Sequence, residues 1–434
     1  MNLSSEMLAW VIYGVPVAIA LALYLRNHRT RAQVHQELLH EAIAQGLMEP
    51  PSLHPLVDVG RCIGSSACVK ACPEHALGVV DGKAVLIGAA HCIGHGACLP
   101  ACPVEAIKLV FGTEKRGIDI PVVKPNFESN VPGVYIAGEL GGMGLIRKAA
   151  EQGRQAMDAA RGSMRGSAEY DVVIVGAGPA GIAAGLGAIE HKLKYKILEQ
   201  EDSLGGAVYH YPRRKIAMTA PVNLPVIGRV KMNEISKEEL LEFWNNVVRK
   251  TGLKIAFRER METIDKLGDG FEVRTANGKY RAKTVLLAIG RRGTPRKLDV
   301  PGENTPKVVY RLLDPEQYQG QRVLVVGGGD SALEAAVATC AQPGARVTLS
   351  YRSEAFSRVK EKNRVAVKDA QAQGRLRVLL QSTVSRIERD RVHLRFKDEP
   401  VAIRNDAVIV CAGGDLPTPL LKRIGVMFET HHGE

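Results

Sequence analysis

Six of the eight cysteines in this 434-residue chain fall in one stretch, at Cys62, Cys68, Cys72, Cys92, Cys98 and Cys102. Each member of the first trio recurs 30 positions later, so that RCIGSSACVKACPEHAL from Arg61 aligns with HCIGHGACLPACPVEAI from His91. Thiolates at a repeated C-x5-C-x3-C-P spacing are soft ligands, and the chemistry they suggest is metal binding. A disulfide framework suits short secreted chains, not a long one without a secretory cleavage signal. The remaining Cys340 and Cys411 are solitary and read as buried apolar residues.

Two glycine-rich turns carry a second kind of chemistry. Tyr170 to Gly181 reads YDVVIVGAGPAG, a strand running into G-x-G-x-x-G. Gly176 permits the tight turn, Gly178 lets a pyrophosphate approach the backbone, and Gly181 lets the helix pack on the sheet. Pro179 opens that helix, whose N-terminus then faces the phosphates. A second strand ends at Glu199, 23 residues after Gly176, where a carboxylate would bind ribose hydroxyls. The second turn, VLVVGGGDSA from Val323, offers Gly327, Gly329, Asp330 and Ser331. Its following strand ends in Arg352, with Arg358 and Lys360 downstream. Arginine where an NAD enzyme places an acid suits a 2′-phosphate, so NADP(H) is expected over NAD(H).

The cysteine repeat resembles that of the bacterial two-cluster ferredoxins, which read C-x2-C-x2-C-x3-C-P, with the second cysteine replaced by Ser65 in one half and His95 in the other. The fourth cysteine of each half ligates the other cluster in such folds. The resemblance therefore implies two iron–sulfur sites. Cys62, Cys68 and Cys102 form site one with Ser65 nearby, and Cys92, Cys98 and Cys72 form site two with His95. Zinc would need four convergent ligands and no internal duplication. Three thiolates suffice for [3Fe–4S], whereas [4Fe–4S] needs a fourth ligand. A neutral imidazole serves more readily than a serine alkoxide, so site two is expected to hold [4Fe–4S] through His95 and site one [3Fe–4S] or a labile fourth iron.

The glycine turns, with VLLAIGRRGTP from Val285 and VIVCAGG from Val408, resemble two-dinucleotide-domain flavoproteins of the thioredoxin reductase type. GGAVYHYPRRK from Gly205 and YRSEAFSR from Tyr351 are similar to the bacillithiol disulfide reductase-like branch. The resemblance spans residues 117–434 and implies FAD at the first turn, with the chain passing the flavin at Gly205-Gly206. Tyr209, His210 and Tyr211 follow that pair. Three departures stand out. The family's closing FAD segment, with its Gly-Asp, resembles SNVPGVYIAGE here, ending in Gly138-Glu139 and lying before the first turn. The flavoprotein thus reads as circularly permuted, and Gly425 to His431 is expected beside Ile118 to Val123, with 162–168 joining the old ends. No C-x-x-C dithiol exists, and Ala180 stands where the bacillithiol branch has cysteine, so disulfide reduction is disfavoured.

These residues demand a particular set of elements. The expected fold class is an α/β two-dinucleotide-binding-domain (Rossmann-like) flavoprotein, preceded by a small α+β ferredoxin-like domain and one transmembrane helix. Met7 to Leu25 is uncharged for nineteen residues and is followed by Arg26, Arg29 and Arg31. That pattern predicts a single-pass anchor in the inner (cytoplasmic) membrane, with the N-terminus outside and the catalytic domains cytoplasmic. The expected divisions are 1–31 anchor, 32–55 linker with a short amphipathic helix, 56–112 iron–sulfur domain and 113–168 closing segment and linker. The FAD domain follows at 169–298, the NAD(P) domain at 299–404, and a return to the FAD domain at 405–434. A helix starting near Gly141 and running through Arg154 is expected to aim its positive end at the flavin.

With 45% hydrophobic and 24% charged residues the chain is neither disordered nor a polytopic membrane protein. Its net charge of +12 suits an anionic leaflet, and no nucleic-acid-binding signature is present. The expected function is electron transfer between NAD(P)H, FAD and the clusters to an acceptor, which implies a redox partner protein or membrane carrier; a homodimer is also compatible. Reverse flow, from a ferredoxin-like donor to NADP⁺, and a redox sensor or assembly factor without sustained turnover are the alternatives.

Overall fold

The computed structural model describes residues 13–44, 47–50, 53–114, 116–142, 144–211, 213, 215–218, 221–232, 234–291, 294–356, 359–415 and 417–433. The chain divides into two units, residues 1–113 with 433–434, and residues 114–432.

The first unit opens on one continuous helix, Val15–Ala44. Its uncharged stretch from Val15 to Leu25 covers about 16 Å at 1.5 Å per residue, roughly half a bilayer's hydrocarbon core. The same helix then carries Arg26, Arg31 and Glu37 onward without a break. Among the described residues no helix is long and apolar enough to cross a membrane. The expected span over 7–25, the inner-membrane location and the membrane partner are therefore corrected; residues 7–12 of that span lie outside the described residues. Residues 32–44 likewise belong to this helix and not to a separate linker helix. The helix is tied down at His35, whose Nδ1 accepts from the Val79 N–H at 3.1 Å.

The cysteine repeat folds into two short antiparallel pairs, His54–Val57 with Ile107–Val110 and Leu77–Val80 with Lys83–Leu86. Two short helices, Ala67–Ala71 and Cys98–Ala101, sit at matching places in the two halves. The duplication persists down to single dihedrals. His75 and Glu105, three residues past the last cysteine of each half, adopt left-handed φ values of 50° and 51°. Leu77, Ala84, Ala106 and Ile107 close a small core together with Cys62, Cys68 and Cys98.

The second unit is built on two sheets. Parallel strands Ile255–Ala256, Tyr195–Leu198, Tyr170–Val175 and Lys279–Leu287 form the first, extended by antiparallel Gly270–Thr275 and Met261–Leu267. Val172 to Val175 are all buried, as expected of a parallel strand covered on both faces. Val134–Ile136 joins this sheet parallel to the second half of Lys279–Leu287. The chain then passes through a 3-10 turn at Gly138–Gly141, and the following helix starts at Ile146, not near Gly141. This helix, Ile146–Ser163, buries Ala150, Gly153, Ala156, Met157 and Ala160 at three- and four-residue spacing. That stripe packs on helix Pro179–Glu190, closely enough that a Cβ at Gly153 would lie 2.0 Å from the Ala180 carbonyl oxygen.

The second sheet is parallel in the order Val308–Val309, Ala407–Val410, Arg322–Val326, Arg346–Tyr351, Leu376–Leu380. Because Ala407–Val410 pairs here, the return to the first sheet's side falls later than 405, at Gly414–Asp415, which pairs with Thr294–Pro295. An antiparallel meander, Ser382–Ile387, Arg391–Phe396 and Glu399–Arg404, follows the last parallel strand. Finally, Phe428–His431 pairs antiparallel with Ile118–Pro121, the pairing expected from the order of the motifs.

Candidate functional site

The six clustered cysteines separate into two trios. Cys62, Cys68 and Cys102 wall a hollow that opens in part to solvent, with Ser65 on its rim. Cys72, Cys92 and Cys98 wall another, with His95 on its rim. Each trio mixes two cysteines of one half with the last cysteine of the other. Ser65 and His95 are both exposed at the edges of these cavities. Among the described residues no three His, Cys, Asp or Glu side chains converge as for one metal ion, so the thiols ring a space instead of closing on a point.

Backbone N–H groups are already aimed at sulfur. Ala76 N–H points at Cys72 Sγ at 3.4 Å, and Ala106 N–H at Cys102 Sγ at 3.2 Å, the same contact in each half. Ala84 N–H adds a contact to Cys62 Sγ at 3.3 Å. Burial pushes the Cys68 and Cys92 thiols above their ordinary range and Cys98 up to about 11. As free thiols these would stay protonated near neutrality, whereas cluster iron takes them as thiolates and disperses their charge. The donor set fits an iron–sulfur group. Sequence reasoning missed His54 and Glu74, which also line the second cavity. The signal was available in the repeat itself, because both sit where the other half carries Ala84 and Val104.

At the first glycine turn, two glycines leave no room for a side chain and the third leaves an open approach. A Cβ at Gly176 would stand 2.5 Å from the Ala288 carbonyl oxygen, and one at Gly181 only 1.8 Å from that of Gly176. Gly178 has nothing nearer than the Gly206 Cα at 3.8 Å, which leaves an open approach in front of helix Pro179–Glu190. Gly205 and Gly206 both take positive φ as the chain folds back over that approach. Glu199 is buried at the end of its strand, accepting from the Ala177 N–H at 2.6 Å and the Glu201 N–H at 3.1 Å. Burial raises its pKa against these two donors. Gly138 N–H donates to Gln152 Oε1 at 2.9 Å, holding the Gly138-Glu139 turn beside the closing helix. The cradle fits a dinucleotide of the FAD type.

At the second turn, a Cβ at Gly329 would meet nothing within 4 Å, whereas Gly328 lies flat against the Tyr351 ring, itself stacked on Phe356 at 5.5 Å. Arg352 is exposed just past the strand Arg346–Tyr351, and Arg358 lies outside the described residues. Ser331 is exposed at the start of helix Asp330–Cys340. Asp330 is held by Asn363 Nδ2 at 2.6 Å and the Lys360 N–H at 3.0 Å. Asn363 also reaches Glu334, whose other oxygen pairs with Lys215 Nζ at 2.7 Å. The segment after Gly205-Gly206 thus joins the two sheets' halves: Arg311 donates to His210 Nδ1 at 2.6 Å, and Arg213 pairs with Asp314 at 3.5 Å. Of the two solitary cysteines, Cys340 is buried and Cys411 half-buried.

Comparison with known proteins adds independent findings. Residues 173–433 match the pyridine nucleotide-disulphide oxidoreductase family, and residues 54–103 match the 4Fe-4S dicluster domain. The chain is 33% identical to a ferredoxin–NADP reductase of Thermus thermophilus over 255 residues, 56% of this chain and 72% of that protein. It is 33% identical to a ferredoxin–NADP reductase of Ignicoccus hospitalis over 189 residues, 43% of this chain and only 57% of that relative's length. Among solved structures, bacillithiol disulfide reductase from Staphylococcus aureus aligns with TM-score 0.52 at 24% identity, covering 60% of this chain and 81% of that one. The enzyme of the same name from Bacillus cereus aligns with TM-score 0.53 at 24% identity, over 59% and 82%. These two likenesses speak to the fold alone.

Proposed function

Because the chain belongs to the pyridine nucleotide-disulphide oxidoreductase family, we propose that it is an FAD-dependent NAD(P)H oxidoreductase that exchanges electrons with its own pair of iron–sulfur clusters. The observation that carries this reading is the co-occurrence, in one chain, of two glycine turns and two thiol-walled cavities. Bound flavin supplies the conversion between two-electron hydride chemistry and one-electron transfer. The protein's share is positioning. Gly176, Gly178, Pro179 and Gly181 present a helix N-terminus to one pyrophosphate, with Glu199, Gly205, Gly206, Gly138 and Glu139 around the rest of that ligand. Gly327, Gly329, Asp330 and Ser331 present another helix N-terminus to the nicotinamide coenzyme, and Arg352 and Arg358 favour NADP(H). The cysteine trios hold the clusters, with His95 as fourth ligand of site two and Ser65 left outside site one. The absence of a C-x-x-C pair argues against dithiol chemistry.

We also infer that the flavoprotein part is circularly permuted. Two pairings support it: Val134–Ile136 lies parallel to Lys279–Leu287, and Phe428–His431 meets Ile118–Pro121. A redox partner protein accepts the electrons, and a homodimer is compatible with the reading. Flow in the opposite direction, towards NADP⁺, is favoured by one observation, the names of the two ferredoxin–NADP reductase relatives. The test is to mix the anaerobic protein with NADPH. Bleaching of flavin absorbance followed by turnover with a one-electron acceptor is expected, and an unbleached flavin in FAD-loaded protein would refute the proposal.

A further inference from the structure

The internal duplication offers a controlled comparison, because most positions around the two cavities are alike in the two halves. The pairs Ala76 with Ala106, Leu77 with Ile107 and Ile93 with Ile63 occupy equivalent walls. Besides Ser66 against Gly96, three pairs differ in chemistry. Site one has Ser65, Ala84 and Val104 where site two has His95, His54 and Glu74. Glu74 is the one carboxylate among the described residues lining either cavity. Site one has a cation instead: Lys83 Nζ donates to the carbonyl oxygen of Cys62, one of its three thiol residues, at 2.6 Å. In the register that matches Ala84 with His54, the counterpart of Lys83 at site two is the uncharged Leu53. Duplication made the two sites alike, and divergence has placed opposite charges beside them.

A fixed negative charge opposes adding an electron to a nearby cluster, and a fixed positive charge favours it. We propose that Glu74 and Lys83 bias the two cluster sites in opposite senses, Glu74 lowering the reduction potential of site two and Lys83 raising that of site one. One electron leaving site two, which is thereby oxidised, settles on site one, which is reduced; no proton or bond is involved. This deepens the cluster reading above and rests on it. It also gives the pair a direction that two identical halves would lack.

Potentiometric titration followed by EPR tests the idea, with each signal assigned by its loss in Cys68→Ala or Cys98→Ala. A unit charge about 10 Å away at an effective dielectric near 20 changes a one-electron equilibrium roughly tenfold, equivalent to about 59 mV. Glu74→Gln is expected to raise the site-two midpoint by up to that amount and leave site one unmoved. Lys83→Met is expected to lower the site-one midpoint and leave site two unmoved. Protein reconstituted anaerobically without bound iron or sulfide would fail the cluster reading itself. Two intact clusters whose midpoints stay fixed, or move together, would overturn the charge inference alone. Loss of the site-two cluster from Glu74→Gln would overturn it too, since Glu74 would then help attach the cluster.

Discussion

Replacing Gly153 by alanine tests whether the closing helix and the dinucleotide helix form one rigid support for the cofactor. In helix Ile146–Ser163 a Cβ at this position would sit 2.0 Å from the carbonyl oxygen of Ala180, 2.7 Å from its carbon and 2.9 Å from its Cα. All three are backbone atoms of the first turn after Gly178, so no side chain can rotate away. Relief requires the two helices to part by more than 1 Å, against the overpacking penalty of about 1–3 kcal/mol typical of filled cores. The intrinsic helix preference of alanine over glycine returns about 0.5–1 kcal/mol. Gly162 in the same helix is the internal control, having no atom within 4 Å of its would-be Cβ. Gly162→Ala should therefore be neutral or slightly stabilising. With about 0–2.5 kcal/mol lost on balance, Gly153→Ala should lower Tm by up to about 10 °C and reduce the FAD retained through purification, because Ala180 borders the pyrophosphate turn. Differential scanning calorimetry and flavin content per chain measure both. If the two variants show the same Tm and FAD occupancy, the helix contact does not govern the site and the reasoning fails.

Three other outcomes are expected. Arg352→Ala should weaken NADPH more than NADH, by roughly tenfold to a hundredfold for the loss of one charge-assisted contact; equal losses in the two Kd values would count against it. The Asp406 carboxyl, gripped by Arg322 at 2.6 and 2.8 Å, is held down to about 2. Since its folded value lies below its unfolded one, its contribution is present above about pH 4 and fades as pH falls towards 2. The pair is about a third exposed, so urea unfolding of Asp406→Asn should show at most about 1 kcal/mol lost near pH 7, narrowing near pH 3. A gap that does not change with pH would speak against the assignment. For the clusters, His95→Ala should lose iron from site two, while Ser65→Ala leaves iron content and EPR unchanged. Identical spectra in wild type and both variants would remove His95 as a ligand.

What could be read from sequence is what chemistry forces into fixed spacing. The glycines at 176, 178 and 181 and the repeated cysteines each serve a ligand of fixed shape, so their spacing along the chain is legible even where their neighbours in space, such as Ala288 beside Gly176, are far away in sequence. The meeting of 118–121 with 428–431 was legible for a different reason: SNVPGVYIAGE stood in an unusual place, which told where the chain must return. The N-terminal helix was misread because an uncharged run marks polarity along the chain and not the end of a helix. Val15–Ala44 changes from apolar to charged at Arg26 with no glycine or proline to stop it. Ala407–Val410 falls in the second sheet and not with the expected return at 405–434, because a four-residue apolar strand carries no record of its partner. Its place is decided by Val323–Val326, more than eighty residues away. Glu74 and His54 escaped notice as single residues, and only comparison between the halves picks them out.

The strand Val134–Ile136 has a consequence for how the protein is made. It completes a sheet whose neighbouring strand, Lys279–Leu287, lies about 150 residues further on, and Ile118–Pro121 awaits a partner about 300 residues later. On a ribosome adding about 5–20 residues per second, the earlier edges remain unpaired for about 8–30 s and about 15–60 s, respectively. During that interval their buried positions Val134, Tyr135 and Ile136 are exposed to other nascent chains. The cysteine repeat, whose strand pairs all lie between His54 and Val110, can close meanwhile. Folding in the cell therefore proceeds out of step along this chain, and chaperone demand should concentrate on residues 114–163 and not on the metal-binding end.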